Sequence, residues 1–225
     1  TIATYYGDPG TGVASKTSSP YIKELKKLVK KQRKSLESRY RAAVRRGEKP
    51  ALVFDTDDTT LFTYDMEVKA MHFTFDPQLQ DEWVQDQRFP ATPAMAAYVR
   101  KAQKIGYTIV GLTGRSAGQE SATLKNLAKV GYGDAFTDAN FYTKWSGTKP
   151  SYITCKVATA CTTVEYKAGT RRYLERKRDL TIVANYGDQW SDLQGGHADH
   201  SVKLPNPTYY LPSANLPGKS QPKLA

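Results

Sequence analysis

Three short apolar runs, each leading into polar or acidic residues and separated from the next by a helix-patterned stretch, constrain this chain most. Ala51–Phe54 (ALVF) runs into Asp55-Thr56-Asp57-Asp58-Thr59, and Tyr107–Leu112 (YTIVGL) into Thr113-Gly114-Arg115. Leu180–Ala184 (LTIVA) leads to Gly187-Asp188-Gln189-Trp190-Ser191-Asp192. Short runs without polar alternation read as strands buried on both faces. Helical patterns over Ala94–Ile105, Ser121–Val130 and Val164–Arg178 fall between them. Strands alternating with helices predict an α/β fold, a parallel sheet with helices on both faces. A weaker strand is expected at His200–Leu204, and short ones at Asn140–Thr143 and Tyr152–Cys155.

The 225 residues contain no internal repeat and no linker. The expected organisation is an arm plus a basic amphipathic helix over 1–50, an α/β core over 51–210, and an extended Pro-rich tail over 211–225. Residues 63–92 interrupt the alternation and read as an insertion near the site. In the arm, GDPGTG follows no predicted strand and is discounted as a phosphate loop. No run approaches the roughly 18 apolar residues a membrane span needs. The first residue is Thr, so the expectation is that a targeting segment has been removed or none was needed.

Charge is concentrated. The chain carries 33 Lys and Arg against 22 Asp and Glu, net +11. Between Tyr21 and Lys49 lie 12 of those cations and 3 Glu, so this segment holds +9 and the remainder only +2. Ile22, Leu25, Val29, Leu36, Tyr40 and Ala43 recur at helical spacing, with Ser19-Pro20 as the start and Gly47 and Pro50 as the stop. Lys23, Lys26, Lys27, Lys30, Lys31, Arg33 and Lys34 are expected to face water. That face is either simply solvated or attracts an anionic surface or polymer.

Cys155 and Cys161, with five residues between them, fit neither a zinc knuckle nor a C-x-x-C pair. They form either a small local disulfide, worth about 2 kcal/mol by loop entropy, or two buried thiols. A bridge would imply an oxidising compartment, hence a secreted protein, extracellular or periplasmic.

Ligands in parallel α/β folds collect at the carboxyl ends of the strands, where all three polar segments fall. Crowded carboxylates repel, and hard oxygens in this number suit Mg²⁺. Hydrophobic strand, D-x-D-x-T, a strand ending in Thr, a Lys, then G-D-x-x-S-D is similar to the motif set of the haloacid dehalogenase (HAD) superfamily. Within it, FDTDDTTL, GLTGR, EYKAGTRRYLE, NYGDQWSDL and KLPNPTYY resemble the subfamily IIIB acid phosphatases, the group of class B bacterial enzymes and plant vegetative storage proteins. The match runs from about Ala51 to Tyr210, and four ordered motifs make it specific where one D-x-D-x-T would not.

The resemblance implies a Rossmann-like fold and a Mg²⁺-dependent acid phosphatase acting on small phosphomonoesters; the segments between the motifs, 63–92 and 132–160, are each about 30 residues and too short for more than a small cap. Asp55 would be the nucleophile. Asp57 would be the general acid and base and would offer its backbone carbonyl to the metal. Asp55 and Asp188 would supply carboxylates to Mg²⁺, with Asp192 orienting the metal shell from behind. Thr113 and Lys167 would hold the phosphoryl oxygens. Arg171 and Arg172 compete with Lys167, which spacing favours. Asp58 reads as a turn or surface residue, Thr59 as structural with its hydroxyl steadying the loop, Arg115 as either a phosphate contact or an exposed loop residue, and Trp190 as a packing anchor. His72 reads as a surface residue ahead of a leaving-group contact, and His197 and His200 form no zinc site. Tyr64, Phe73, Phe75 and Trp83 form either an aromatic wall for a leaving group or the insertion's own core, with Tyr209-Tyr210 near the rim. Phosphotransfer to an acceptor alcohol, a phosphatase acting on nucleotides or nucleic-acid ends, and a non-catalytic storage or binding protein remain alternatives. A receiver domain shares the acids, Thr and Lys, but Asp57 suits a hydrolase better. Assembly into an oligomer stays open.

Overall fold

The computed structural model describes residues 1–208; the expected tail over 211–225 and Tyr209-Tyr210 lie outside them. In chain order the first elements are α1 (Ile2–Tyr6), α2 (Pro20–Arg45), β1 (Pro50–Phe54), α3 (Tyr64–Lys69), α4 (Pro77–Gln85) and α5 (Met95–Ile105). Then come β2 (Thr108–Ser116), α6 (Glu120–Leu127), β3 (Phe141–Lys144), α7 (Thr163–Arg178), β4 (Thr181–Gly187), α8 (Trp190–Leu193) and β5 (Ser201–Lys203). The five strands are all parallel, in the order β3-β2-β1-β4-β5.

Successive residues of a strand point to opposite faces, and here each face has its own apolar layer. Leu52, Phe54 and Ile109 pack with residues of α2, α5 and α6. Val53, Val110, Leu112 and Ile182 pack with Tyr166 and Leu174 of α7. Every residue of β1 is therefore buried. This double cover is why the central strands are apolar without alternation.

The basic helix α2 starts where Ser19 accepts a hydrogen bond from Ile22 N at 3.1 Å, with Pro20 in its first turn. Its stripe of Ile22, Leu25, Val29, Leu36 and Ala43 is buried in the same layer as the sheet, while Tyr40 is half-buried. Tyr40 packs over Gly106, the residue ending α5 at φ 117°, where a Cβ would lie 2.3 Å from the Tyr40 hydroxyl. Only glycine satisfies both demands. The seven cations from Lys23 to Lys34 are all exposed.

One expectation is overturned and two gain detail. Tyr152–Cys155 forms no strand: Ile153 N donates to Pro150 O at 3.0 Å, closing a turn, and buried Ile153 packs on Gly169 of α7 before the chain enters the Cys155–Cys161 disulfide. The arm is partly ordered by α1 and by Asp8, whose carboxylate accepts from Gly10, Thr11 and Gly12 N and from the Tyr64 hydroxyl. The GDPGTG amides are thus consumed internally. The 63–92 insertion holds α3 and α4 and returns to the sheet side through a bridge between Leu61 and Ala91. No helix among the described residues is long and apolar enough to cross a membrane.

Candidate active site

The carboxyl ends of β1 and β4 lie side by side, with Asp55 N donating to Tyr186 O at 3.0 Å. Asp55 leaves the end of β1, Asp188 follows β4, and Asp192 sits in α8 four residues later. Oxygens of these three buried carboxylates lie within 4.8 Å of one another. Gly187 permits this: a Cβ there would come 2.4 Å from that of Asp192. Lys167 arrives from α7, buried, its Nζ 2.5 Å from Asp55 Oδ1 and 2.6 Å from Asp192 Oδ1. The second oxygen of Asp192 accepts from Gln189 N at 2.9 Å, so both its oxygens are engaged by the protein. Thr113, fully buried on β2 beside the end of β1, accepts from Arg115 N at 3.2 Å through its hydroxyl.

The electrostatics follow from crowding out of water. Burial pushes the Asp55 carboxyl up to about 7; Lys167 opposes the rise, and Asp192 and Asp57 add to it. Asp188 is raised well above the usual carboxylate range by burial and by Asp192, Asp55 and Asp58. Burial alone would lower the Lys167 pKa, but Asp192 and Asp55 more than offset it and hold the ammonium charged. One ammonium cannot balance this many acids. An all-oxygen set with excess negative charge fits a hard divalent cation.

The other sequence-selected residues sort themselves by contact. Of the three candidate cations on α7, Lys167 alone reaches the carboxylates. Arg171 is fully buried and donates to the carbonyls of Gly196, Asp192 and Gln194 at 2.9, 2.8 and 2.6 Å, and Arg172 turns to Tyr152 O at 3.4 Å. Arg115 is not the exposed loop residue that was one of its two readings. It is buried, forks onto Asp57 at 2.6 and 3.1 Å, donates to Thr123 Oγ1 at 2.9 Å, and lies 4.8 Å over the Phe89 ring. Asp58 does occupy a turn at φ 54°, yet it is buried and accepts from Thr63 N and Oγ1 at 3.0 and 2.6 Å. Thr59 Oγ1 donates to Asp188 at 3.4 Å. Trp190 is half-buried and His72 exposed. His197 pairs with Glu175 at 2.6 Å and His200 is exposed; neither joins the acidic cluster.

The four aromatic residues of the insertion divide between both expectations. Tyr64 is buried against Tyr6 with ring centroids 4.4 Å apart, and Trp83 packs on Phe89. Phe73 and Phe75 are 47% and 66% exposed, and Phe75 lines a cleft of about 570 Å³ with Pro77, Gln80, Arg115 and Gln119.

Two site residues escaped sequence reasoning. Asn206 donates to Asp58 at 3.1 Å and to Asp188 at 2.7 Å, tying the two acidic loops together. Its signal was the rigid Pro205-Asn206-Pro207 setting. Glu67 is buried on α3 beside Tyr64 and Met66, and burial, with Asp58 and Asp57 adding, pushes its carboxyl up to about 7. A carboxyl raised in the folded state stabilises below its unfolded pKa of roughly 4.3 and loses that contribution as pH climbs to about 7. Glu67→Gln should therefore raise the stability of the metal-free protein by about 1–3 kcal/mol at pH 8 and by almost nothing at pH 4. Chemical denaturation in chelator at both pH values checks this; equal effects at both would refute it.

Residues 12–212 match the family model described as HAD superfamily, subfamily IIIB (acid phosphatase). The chain is 34% identical over 167 residues to the stem 28 kDa glycoprotein of Glycine max, covering 72% of this chain and 61% of that one. It is 33% identical over 164 residues to acid phosphatase 1 of Solanum lycopersicum (71% and 58% covered) and 30% identical over 166 to vegetative storage protein 1 of Arabidopsis thaliana (72% and 55%). It thus spans between about half and three-fifths of these relatives' lengths. Among solved structures, the class C acid phosphatase from Bacillus anthracis shares the fold at a TM-score of 0.62 and 23% identity, covering 83% of this chain and 79% of that one. With its sheet order, its clustered acids and a family match across nearly its whole described length, this chain belongs to the HAD superfamily, in subfamily IIIB, the acid phosphatases.

Proposed function

We propose that this chain is a Mg²⁺-dependent phosphomonoesterase that works through an aspartyl-phosphate on Asp55. The observation that carries the proposal is the Lys167 ammonium seated between the Asp55 and Asp192 carboxylates, with Asp188 alongside. Asp55 and Asp188, with the Asp57 backbone carbonyl, would hold the ion; Asp192, both oxygens already engaged, would orient it from outside. The bound ion would supply positive charge that screens the nucleophile from the phosphate.

An Asp55 carboxylate oxygen attacks phosphorus in line, and the ester oxygen departs with a proton from Asp57. Water then attacks the phosphorus of the acyl phosphate and gives its proton to Asp57, releasing phosphate and restoring Asp55. Arg115 fixes where the Asp57 carboxylate sits. Lys167 would neutralise phosphoryl oxygens, and Thr113 accepts from Arg115 N, leaving its own hydroxyl proton for a phosphoryl oxygen. The cleft beside Arg115 and Phe75 would take the leaving group. The disulfide supports an oxidising, secretory setting.

The test is phosphate release from an aryl phosphate with Mg²⁺ and with chelator. Turnover that disappears in chelator and returns with Mg²⁺ is the expected result. Equal turnover in both would refute the metal, and none in either would favour the storage role suggested by the relatives named vegetative storage proteins.

A further inference from the structure

The excess charge of the molecule lies along one track. Helix α2 is 26 residues long, about 39 Å at 1.5 Å per residue. Its first turn lies at the site end: Tyr21 stacks on Phe62, just beyond the acidic loop, with ring centroids 5.1 Å apart. Its last turn leads within a few residues to the start of β1, so it runs antiparallel to the strand that delivers Asp55. The exposed face carries Lys26, Lys30 and Arg33, and Arg33 also lines an open groove of about 600 Å³ between α2 and α5. Arg100, Lys101 and Lys104 of α5 line its other wall. The acid in that groove, Glu37, is already matched by Lys101 at 3.2 Å and Arg41 at 3.6 Å. Ridge and groove form one continuous cationic strip.

We propose that this strip is a docking track for a single-stranded nucleic acid, held by its phosphate backbone. Several observations select that occupant. The strip is an open surface that a flexible strand can follow. Among the described residues, Val44 is the one large exposed apolar side chain on α2, and it lies at the far end, so the face has nothing to insert into a bilayer. Arginine forks at Arg33 and Arg100 suit phosphate oxygens. Tyr21 is buried and Tyr40 half-buried against Gly106, so no aromatic on the strip stacks bases, and binding should be independent of sequence. The choice of a phosphate polymer rests on the phosphatase reading, because the strip ends beside a site fitted to phosphate. The binding itself does not require turnover.

The test is fluorescence anisotropy of an end-labelled oligothymidylate about twelve nucleotides long, titrated with the full chain across a salt series. Binding should weaken with a log–log salt slope of about −3 to −4, as expected for roughly five phosphates contacted on a single strand. The variant Lys26→Glu/Lys30→Glu/Arg33→Glu/Lys104→Glu should bind at least about tenfold more weakly and with a shallower slope. Reversing Lys125, Lys129, Lys144 and Lys156, which changes net charge equally on other faces, should leave affinity within about twofold. Aryl-phosphate turnover measured on the same samples should be unchanged in both variants, so loss of docking and loss of the phosphatase reading are separate results. Absence of binding at low salt, equal weakening by the two variants, or stronger retention on phosphatidylserine vesicles than on the oligonucleotide would each overturn the proposal.

Discussion

Asp55→Asn should lower phosphate release from an aryl phosphate by about 10⁴-fold or more while making the metal-free protein more stable at alkaline pH. The amide keeps the shape of the carboxyl but is a far poorer nucleophile, so the covalent step is lost. Stability moves the other way because the native Asp55 carboxyl is pushed up to about 7 by burial, with Lys167 opposing and Asp192 and Asp57 adding. Such a group contributes its full stability below about pH 4 and loses it as pH rises to about 7, the interval over which folding makes ionisation harder. Asn does not titrate. In chelator the variant's melting temperature should exceed the native one at pH 8, and the two should converge near pH 4. Together these two readouts distinguish a lost nucleophile from a misfolded protein. Undiminished turnover would remove Asp55 from the mechanism.

Arg171→Leu should destabilise the protein by about 3–5 kcal/mol, roughly a 10 °C fall in melting temperature for a chain of this size. The guanidinium is fully buried and donates to three carbonyls of the loop from Asp192 to Gln194 and Gly196. Leucine fills much of the space but leaves those carbonyls without donors, each a desolvated group that formerly had a partner. Burial lowers the Arg171 pKa to about 10, with Asp192 and Glu175 opposing, so the charge persists at neutral pH. Because the same loop carries Asp192, and through it one anchor of Lys167, turnover should also fall at temperatures where the variant remains folded. Arg171→Lys should recover only part of the stability, since one ammonium cannot reach three divergent carbonyls. A loss under about 1 kcal/mol in Arg171→Leu would show that water replaces the guanidinium.

The parts of the fold that depend on local pattern were legible without coordinates. Apolar runs at Ala51–Phe54, Tyr107–Leu112 and Leu180–Ala184 marked the central strands because both their faces are covered, which removes alternation. Ser19-Pro20 and the stripe from Ile22 to Ala43 marked α2 because capping and the 3.6-residue period act over one or two turns. Tyr152–Cys155 misled because four residues carry no period: an apolar anchor in a turn and a strand look alike at that length. Strand ends also ran longer than expected at β2 and β4, where polar residues stay in the sheet to reach the site.

The alternation of buried strands and helices, the cationic helix, and the family motifs carrying Asp55, Asp57, Thr113, Lys167, Asp188 and Asp192 can all be read along the chain. Each of these is written in neighbouring residues. The tertiary structure alone decided that Arg115 clamps Asp57, that Arg171 and not Lys167 staples the loop after Asp192, that Asn206 ties Asp58 to Asp188, and that Glu67 is buried beside them. The hydrogen bonds among them join residues from 18 to 148 positions apart. No local periodicity reports them, because the partner of a buried charge is chosen by which elements the packed core brings together.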